Sequence, residues 1–198
     1  MSYQIKIPSY TCGGEGCIEN VPAIIEKEHA KKIMVFTDKG IRSTGLLDGL
    51  TKILDETAAE YKIFDDLTPE PAYQDVERVM DEAAQYEGDF IIAIGGGSVM
   101  DAAKLCSVLK GASYTVKDLL KDPAIAEKQI KTLMIPTTCG TGSEATCNAI
   151  VAIPEEQSKK GIVNDNMIPD YVFLDSQMIR KLPKAIIAAT GVDALAHV

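Results

Sequence analysis

The densest chemistry in this sequence lies in Phe90–Lys104, FIIAIGGGSVMDAAK. An apolar run of strand type leads straight into Gly95-Gly96-Gly97-Ser98, and helical spacing begins at once. Glycines leave no Cβ between backbone and ligand, so peptide N–H groups there can reach phosphate oxygens. A helix start adds N–H groups with no intrahelical partner and the positive end of the helix dipole. The spacing is not G-x-G-x-x-G, so the dinucleotide fingerprint does not follow from it. A tight strand-to-helix turn capped by Ser98 is the plain alternative.

Three further groups of residues carry chemistry. Pro136–Glu144, PTTCGTGSE, packs hydroxyls and glycines into nine residues after another apolar run, which suits ribose and amide recognition or, more simply, a polar turn. Asp38 closes the run KIMVFTD, where a carboxylate can accept from ribose hydroxyls or cap a helix. Asp193 and His197, in GVDALAH, stand four residues apart and share one helical face. Carboxylate plus imidazole is half of a transition-metal site, or a surface hydrogen bond. The other histidine, His29, sits in the charged stretch EKEHAKK and reads as solvated helix surface. Cys12, Cys17, Cys106, Cys139 and Cys147 form no CxxC pair and read as reduced structural thiols.

These residues need elements to hold them. Strand-length apolar runs occur at Lys32–Thr37, Tyr61–Phe64, Phe90–Ile94 and Thr132–Pro136, and Tyr3–Tyr10 alternates weakly, as an edge strand would. Helical spacing fills Ile41–Glu60, Gln74–Tyr86 and Met100–Leu109 between them. This β-α-β-α order predicts an α/β fold: a Rossmann-like, mostly parallel sheet flanked by helices and joined by right-handed crossovers. After Ile150 the pattern changes to a charged turn at Pro154–Lys159, short strands at Gly161–Val163 and Tyr171–Leu174, and an Ala/Ile-rich helix over Pro183–His197. That helix has no C-terminal cap signal, so the chain reads as cut before a further domain.

Composition sets the outer bounds. With 198 residues, 46% hydrophobic and 25% charged, the chain suits one globular domain with little left over. A net charge of −9 argues against nucleic-acid or anionic-membrane partners, which need a basic surface. No apolar run reaches the length of a membrane helix, and MSYQIKIPSY lacks the parts of a signal peptide, so a cytoplasmic location is expected.

Taken together, GGGSVMDAAK, TTCGTGSE and GVDALAH, in that order, resemble the iron-containing (group III) alcohol dehydrogenases along the whole chain. The resemblance implies reversible hydride transfer between a small alcohol or aldehyde and NAD, assisted by Fe²⁺ or Zn²⁺ as a Lewis acid, in a homo-oligomer. It implies that Asp38 holds the adenosine ribose. Gly96, Gly97 and Ser98 would cradle the pyrophosphate, with Asp101 in the same helix turn. Thr137, Thr138 and Thr141 would contact the nicotinamide half, Lys160 would reach the nicotinamide ribose, and Asn148 would line the substrate pocket. Asp193 and His197 match the first two of four metal ligands, the other two being histidines of a helical C-terminal domain, where the catalytic groups would also lie.

The resemblance divides the chain into a dinucleotide-binding α/β domain, 1–182, and the first helix of an all-helical metal-binding domain, 183–198, so that the chain alone is expected to be inactive. One departure stands out. Many members carry an asparagine between two prolines near the cofactor, where this sequence reads Pro69-Glu70-Pro71. A glutamate there either opposes the phosphates or points to solvent. A stand-alone nucleotide-binding or regulatory module without catalysis, and the glycerol-dehydrogenase branch with its dehydroquinate-synthase relatives, are the competing readings. The wording TTCGTGSE and DALAH favours the iron-containing branch.

Overall fold

The computed structural model describes residues 3–68, 70–180 and 182–196. Six strands form one parallel sheet: β1 (Tyr10–Gly13), β2 (Lys32–Phe36), β3 (Glu60–Phe64), β4 (Phe90–Gly95), β5 (Lys131–Pro136) and, last in sequence, β8 (Tyr171–Leu174). Their spatial order is β1-β8-β5-β4-β2-β3. Between β5 and β8 the chain makes an antiparallel hairpin of β6 (Asn148–Ile153) and β7 (Ser158–Val163).

The central strands are apolar on both sides because both faces are covered, as parallel sheets require. Alternation still decides which residue goes where. Ile33 and Val35 of β2, with Phe90, Ile92 and Ile94 of β4, pack on α1 (Val21–Lys27) and α3 (Leu46–Asp55). Met34 and Phe36, with Ile91 and Ala93, face α4 (Tyr73–Tyr86) and α5 (Gly97–Leu109). A third core joins α4 and α5 to α6 (Val116–Lys121) and to Ala149, Val151 and Ile162 on one face of the hairpin.

Neighbouring strands β2 and β4 send their following helices to opposite faces of the sheet, α2 (Lys39–Ser43) and α3 to one side and α5 to the other. Such a switch point opens a crevice at the strands' carboxyl ends, where α/β sheets take their ligands. Asp38 follows β2 there and Gly96–Ser98 follow β4.

Several expected elements differ. The helix expected over Ile41–Glu60 is two, α2 and α3, separated by a turn in which Gly45 takes φ 71°, and β3 already begins at Glu60. The first strand is Tyr10–Gly13 rather than Tyr3–Tyr10: Tyr3, Ile5 and Ile7 are exposed and unpaired with the sheet. The charged turn at Pro154–Lys159 is a single 3-10 turn, Pro154–Glu156, and β7 starts at Ser158. His29 lies beyond the end of α1 with φ 54°, in a turn rather than on a helix. After a short α7 (Gln177–Arg180), the final helix, α8, spans Lys184–Ala196. Among the described residues no helix is long and apolar enough to cross a membrane.

Candidate functional site

A cleft of about 410 Å³ opens where the β4–α5 turn, the loop after β5, the hairpin and α8 meet. Its walls include Gly97, Ser98 and Asp101 from α5, Gly140, Thr141 and Ser143 from the loop, Asn148 and Ile150 from β6, Lys159 from β7, and Asp193 from α8. Three of the four sequence motifs, all but Asp38, therefore converge on one space.

The start of α5 opens on the cleft with no side-chain cap. Gly96 is the N-cap, and the N–H groups of the first turn precede the helical ladder. A Cβ at Gly97 would stand 3.1 Å from Thr141 Cγ2 and 3.2 Å from Ser143 Oγ, so turn and loop pack closely at this position. Gly96 faces Thr138, whose Oγ1 would be 3.5 Å from an added Cβ. The Thr137 N–H donates to the carbonyl of Gly95 at 2.9 Å, locking loop to turn.

Polar atoms inside the walls bear on what the cleft can hold. Asn148 Oδ1 and Thr137 Oγ1 are buried and have no hydrogen-bond partner in the structure. A buried acceptor without a donor costs on the order of 1–3 kcal/mol, which a ligand N–H or O–H would recover at Asn148, a wall residue. Thr137 itself is fully buried and does not reach the cleft, whereas Thr138 and Thr141 flank the turn.

Under the floor lies a buried ion pair. Lys104, fully buried, sits 2.9 Å from Asp101 Oδ1 and also donates to the Asn148 carbonyl. Asp101 Oδ2 accepts from the Ile150 N–H at 2.9 Å. Burial pushes the Lys104 ammonium below the ordinary lysine range, against the opposing pull of Asp101. Lys104 ends the motif GGGSVMDAAK yet received no role from sequence. The available signal was an Asp/Lys pair at i, i+3 in a helix whose residues from Val99 to Val108 are all buried.

Asp38 stands at the switch point, half-buried, and its Oδ1 accepts from the Ile41 N–H at 2.8 Å, capping α2. The neighbouring Lys39 does not pair with it; Lys39 and Arg78 both bind Asp66 at 2.6 Å.

Lys160 is not brought to the cleft. Pairing of Lys159 with Ala152 and of Lys160 with Val151 puts Lys160 on the hairpin's inner face, beside Ile162, where it bonds Glu156 at the exposed end. Lys159 faces the cleft and pairs with Glu70 at 2.6 Å. Glu70 stands at the cleft's edge with its side chain 67% exposed, and its charge is matched by Lys159.

Asp193 sits at the rim, beside Gly140. His197 lies outside the described residues. Among the described residues no group of three or more His, Cys, Asp or Glu side chains could hold a metal ion, so those residues alone do not fit one.

Comparison with known proteins places the fold in a family. The family model for iron-containing alcohol dehydrogenase matches residues 8–176. A long-chain-alcohol dehydrogenase of Geobacillus thermodenitrificans is 32% identical over 197 residues, covering 98% of this chain and 49% of that protein. The NAD-dependent methanol dehydrogenase of Bacillus methanolicus is 29% identical, covering 96% and 50%. Among solved structures, an iron-containing alcohol dehydrogenase of Thermotoga maritima superposes with a TM-score of 0.88 at 34% identity, over 99% of this chain and 54% of that one. A sulfoacetaldehyde reductase of Bifidobacterium kashiwanohense in complex with NAD⁺ gives 0.87 at 26% identity, over 98% and 51%. The chain spans about half the length of the relatives it matches. It belongs to the iron-containing alcohol dehydrogenase family.

Proposed function

We propose that this chain is the nucleotide-binding half of an NAD-linked dehydrogenase of small alcohols or aldehydes. Residues 1–182 form the dinucleotide domain, and 183–198 begin a second, helical domain. The reading rests most on the Gly97 turn, pressed against Thr141 and Ser143 at the mouth of the cleft. A phosphate-sized group can meet backbone N–H donors there only because no side chain intervenes.

In this proposal the amides of Gly97 and Ser98 hold the pyrophosphate, and Asp38 at the end of β2 receives the adenosine ribose. Thr138, Thr141 and Asn148 line the nicotinamide end, where Asn148 Oδ1 takes a hydrogen bond from cofactor or substrate. Lys159, on the cleft face, takes the place that the sequence offered to Lys160. Bound NAD⁺ supplies the hydride acceptor; the residues here orient it and wall off water, the part of catalysis that proximity contributes. Asp193 supplies one carboxylate at the rim, and the relatives' family is the ground for iron. The described residues do not by themselves form a metal site. A cytoplasmic homo-oligomer remains the expected setting.

Titration of the 198-residue chain with NAD⁺ by calorimetry tests the reading. Saturable one-to-one binding supports it, and a folded chain giving no saturable heat with NAD⁺ or NADH would overturn it.

A further inference from the structure

Cys12 and Cys17 bracket the turn that leaves β1, with only Gly13, Gly14, Glu15 and Gly16 between them. The chain folds back on itself here. The Cys17 N–H donates to the Gly14 carbonyl at 3.3 Å, and the Cys17 thiol donates to the carbonyl of Cys12 itself at 3.6 Å. The two thiols are also hydrogen-bonded to each other, and both pack on the core shared with α1 and α3. The nucleotide cleft uses neither of them.

The pair is held together from outside as well. The Gly14 N–H donates to the Leu174 carbonyl at 3.1 Å, and the Ile18 N–H donates to the Asp175 carboxylate at 3.4 Å. Glu15, between the cysteines, grips Arg180 in a two-pronged ion pair at 2.9 and 2.7 Å. Access separates the two thiols. Cys17 is buried, and burial with Asp175 nearby holds its thiol up at about 11. Cys12 is half-buried on the edge strand of the sheet, where the Tyr10 hydroxyl bonds its thiol. A dissolved oxidant therefore meets Cys12 first.

We propose that Cys12 and Cys17 form a thiol redox site that takes a small hydroperoxide and closes to a reversible disulfide around the Gly13–Gly16 turn. The Cys12 sulfur attacks a peroxide oxygen, and the O–O bond breaks. Water or an alcohol leaves with the thiol proton, and Cys12 becomes a sulfenic acid. The Cys17 sulfur then attacks the Cys12 sulfur, the S–O bond breaks, and the Cys17 proton leaves with the hydroxyl as water. The two thiols lose two electrons and the hydroperoxide gains them. Nearness in this second, intramolecular step offsets the small thiolate fraction of Cys17. Reduced glutathione, itself oxidised to its disulfide, reopens the bond by thiol exchange. The closed ring ties β1 to the 3-10 turn Cys17–Asn20 and fixes the loop from which Glu15 holds Arg180.

The test treats the reduced 198-residue chain with hydrogen peroxide, unfolds it in an alkylating reagent and maps it by tryptic mass. Cleavage after Lys6 and Lys27 gives one peptide that carries both cysteines and no others. That peptide is expected to resist alkylation at both positions and to weigh two hydrogens less. Dithiothreitol should restore both sites, while the Cys106 peptide stays alkylated throughout. In a glutathione redox buffer the ratio of closed to open form is expected to be about tenfold or more higher in the native chain than in urea. Cys17→Ser, which lacks the second sulfur, is expected to leave a sulfenic acid on Cys12 that dimedone labels.

Five results would each overturn the inference: full alkylation of the peptide after peroxide, Cys12 carried to sulfinic acid beside a free Cys17, a disulfide between two chains, a closed form no more favoured natively than in urea, or no dimedone label on folded Cys17→Ser. The first four come from the unaltered chain, so the test stands even if the variant does not fold. None of them bears on the nucleotide reading, which the NAD⁺ titration decides separately.

Discussion

The carboxylate of Asp193 lies over Gly140 so closely that a Cβ there would stand 2.7 Å from its Oδ2 and 2.8 Å from the carbonyl oxygen of Thr190. Helix α8 is thereby seated on the loop after β5, with Cys139 Sγ and Thr190 Oγ1 in contact at 3.3 Å beside it. Gly140 takes φ 99°, a region that side-chain-bearing residues enter only at a cost. Gly140→Ala therefore meets both strain and a clash and is expected to destabilise loop and helix by about 1–3 kcal/mol. Hydrogen exchange should show faster opening over 184–196 and the loop, with the sheet unchanged; unaltered protection of α8 would show that the contact does not hold the helix.

Cofactor choice follows from Asp38. A 2′-phosphate beside its carboxylate would meet a repulsion of at most about 4 kcal/mol at about 4 Å and an effective dielectric of 20. Screening leaves a preference for NAD⁺ over NADP⁺ of about one to two decades. Lys39 and Arg78 share the single carboxylate of Asp66, so that cluster softens the repulsion only in part. Asp38→Ala should narrow the preference while costing about 1 kcal/mol of stability through the lost cap of α2. Equal affinity for the two cofactors in the unaltered chain would contradict the role given to Asp38.

The five cysteines should separate by reactivity. Burial pushes the Cys106 thiol up to about 12 and the Cys17 thiol up to about 11, so neither supplies thiolate near neutral pH. Cys12, Cys139 and Cys147 are half-buried, and no disulfide joins any of the five. A colorimetric thiol reagent at pH 8 is expected to label those three in the native chain and to reach Cys106 only in denaturant. Rapid native labelling of Cys106, located by peptide mass, would mean that α5 opens readily.

Helix α8 leaves apolar side chains uncovered: Ile186, Ile187, Val192 and Leu195 are all exposed, Leu195 to 74%. Tyr3, Ile5 and Ile7 add a second apolar strip. Contiguous exposed patches of this kind seek partners, so the 198-residue chain is expected to self-associate as concentration rises. Light scattering across a dilution series decides it, and a constant monomer mass throughout would count against the expectation.

How much of this was legible in sequence depends on which face of an element carries the signal. FIIAI and KTLMIP are buried on both faces, so their apolar runs announce central strands without further context. The hairpin is different. Asn148–Ile153 buries only alternate residues and leaves Ile150 at 45% exposure, because its outer face lines a cleft instead of a core. On the facing strand, counting by two from the buried Ile162 puts Lys160 on its face and Lys159, which lines the cleft, on the other. Helix α6 carried a readable start, the Thr115–Asp118 capping box, on a stretch too short for periodicity to show. The division of Ile41–Glu60 was hidden because both halves keep helical spacing across the turn at Gly45. The convergence of Ser98, Thr141, Asn148 and Asp193 on one cleft was beyond spacing alone, since only the sheet order brings those segments together.

The most direct test of the nucleotide cleft is NAD⁺ titration of Gly97→Val beside the unaltered chain, with circular dichroism confirming that both are folded. A valine there would press on Thr141 and Ser143, which a Cβ alone would already approach to 3.1 and 3.2 Å, and so crowd the turn proposed to hold the pyrophosphate. The unaltered chain should bind NAD⁺ saturably, and Gly97→Val should weaken that binding by about a hundredfold, roughly 2.7 kcal/mol. NAD⁺ affinity that is equal in the two folded proteins would contradict the placement of the dinucleotide at this turn.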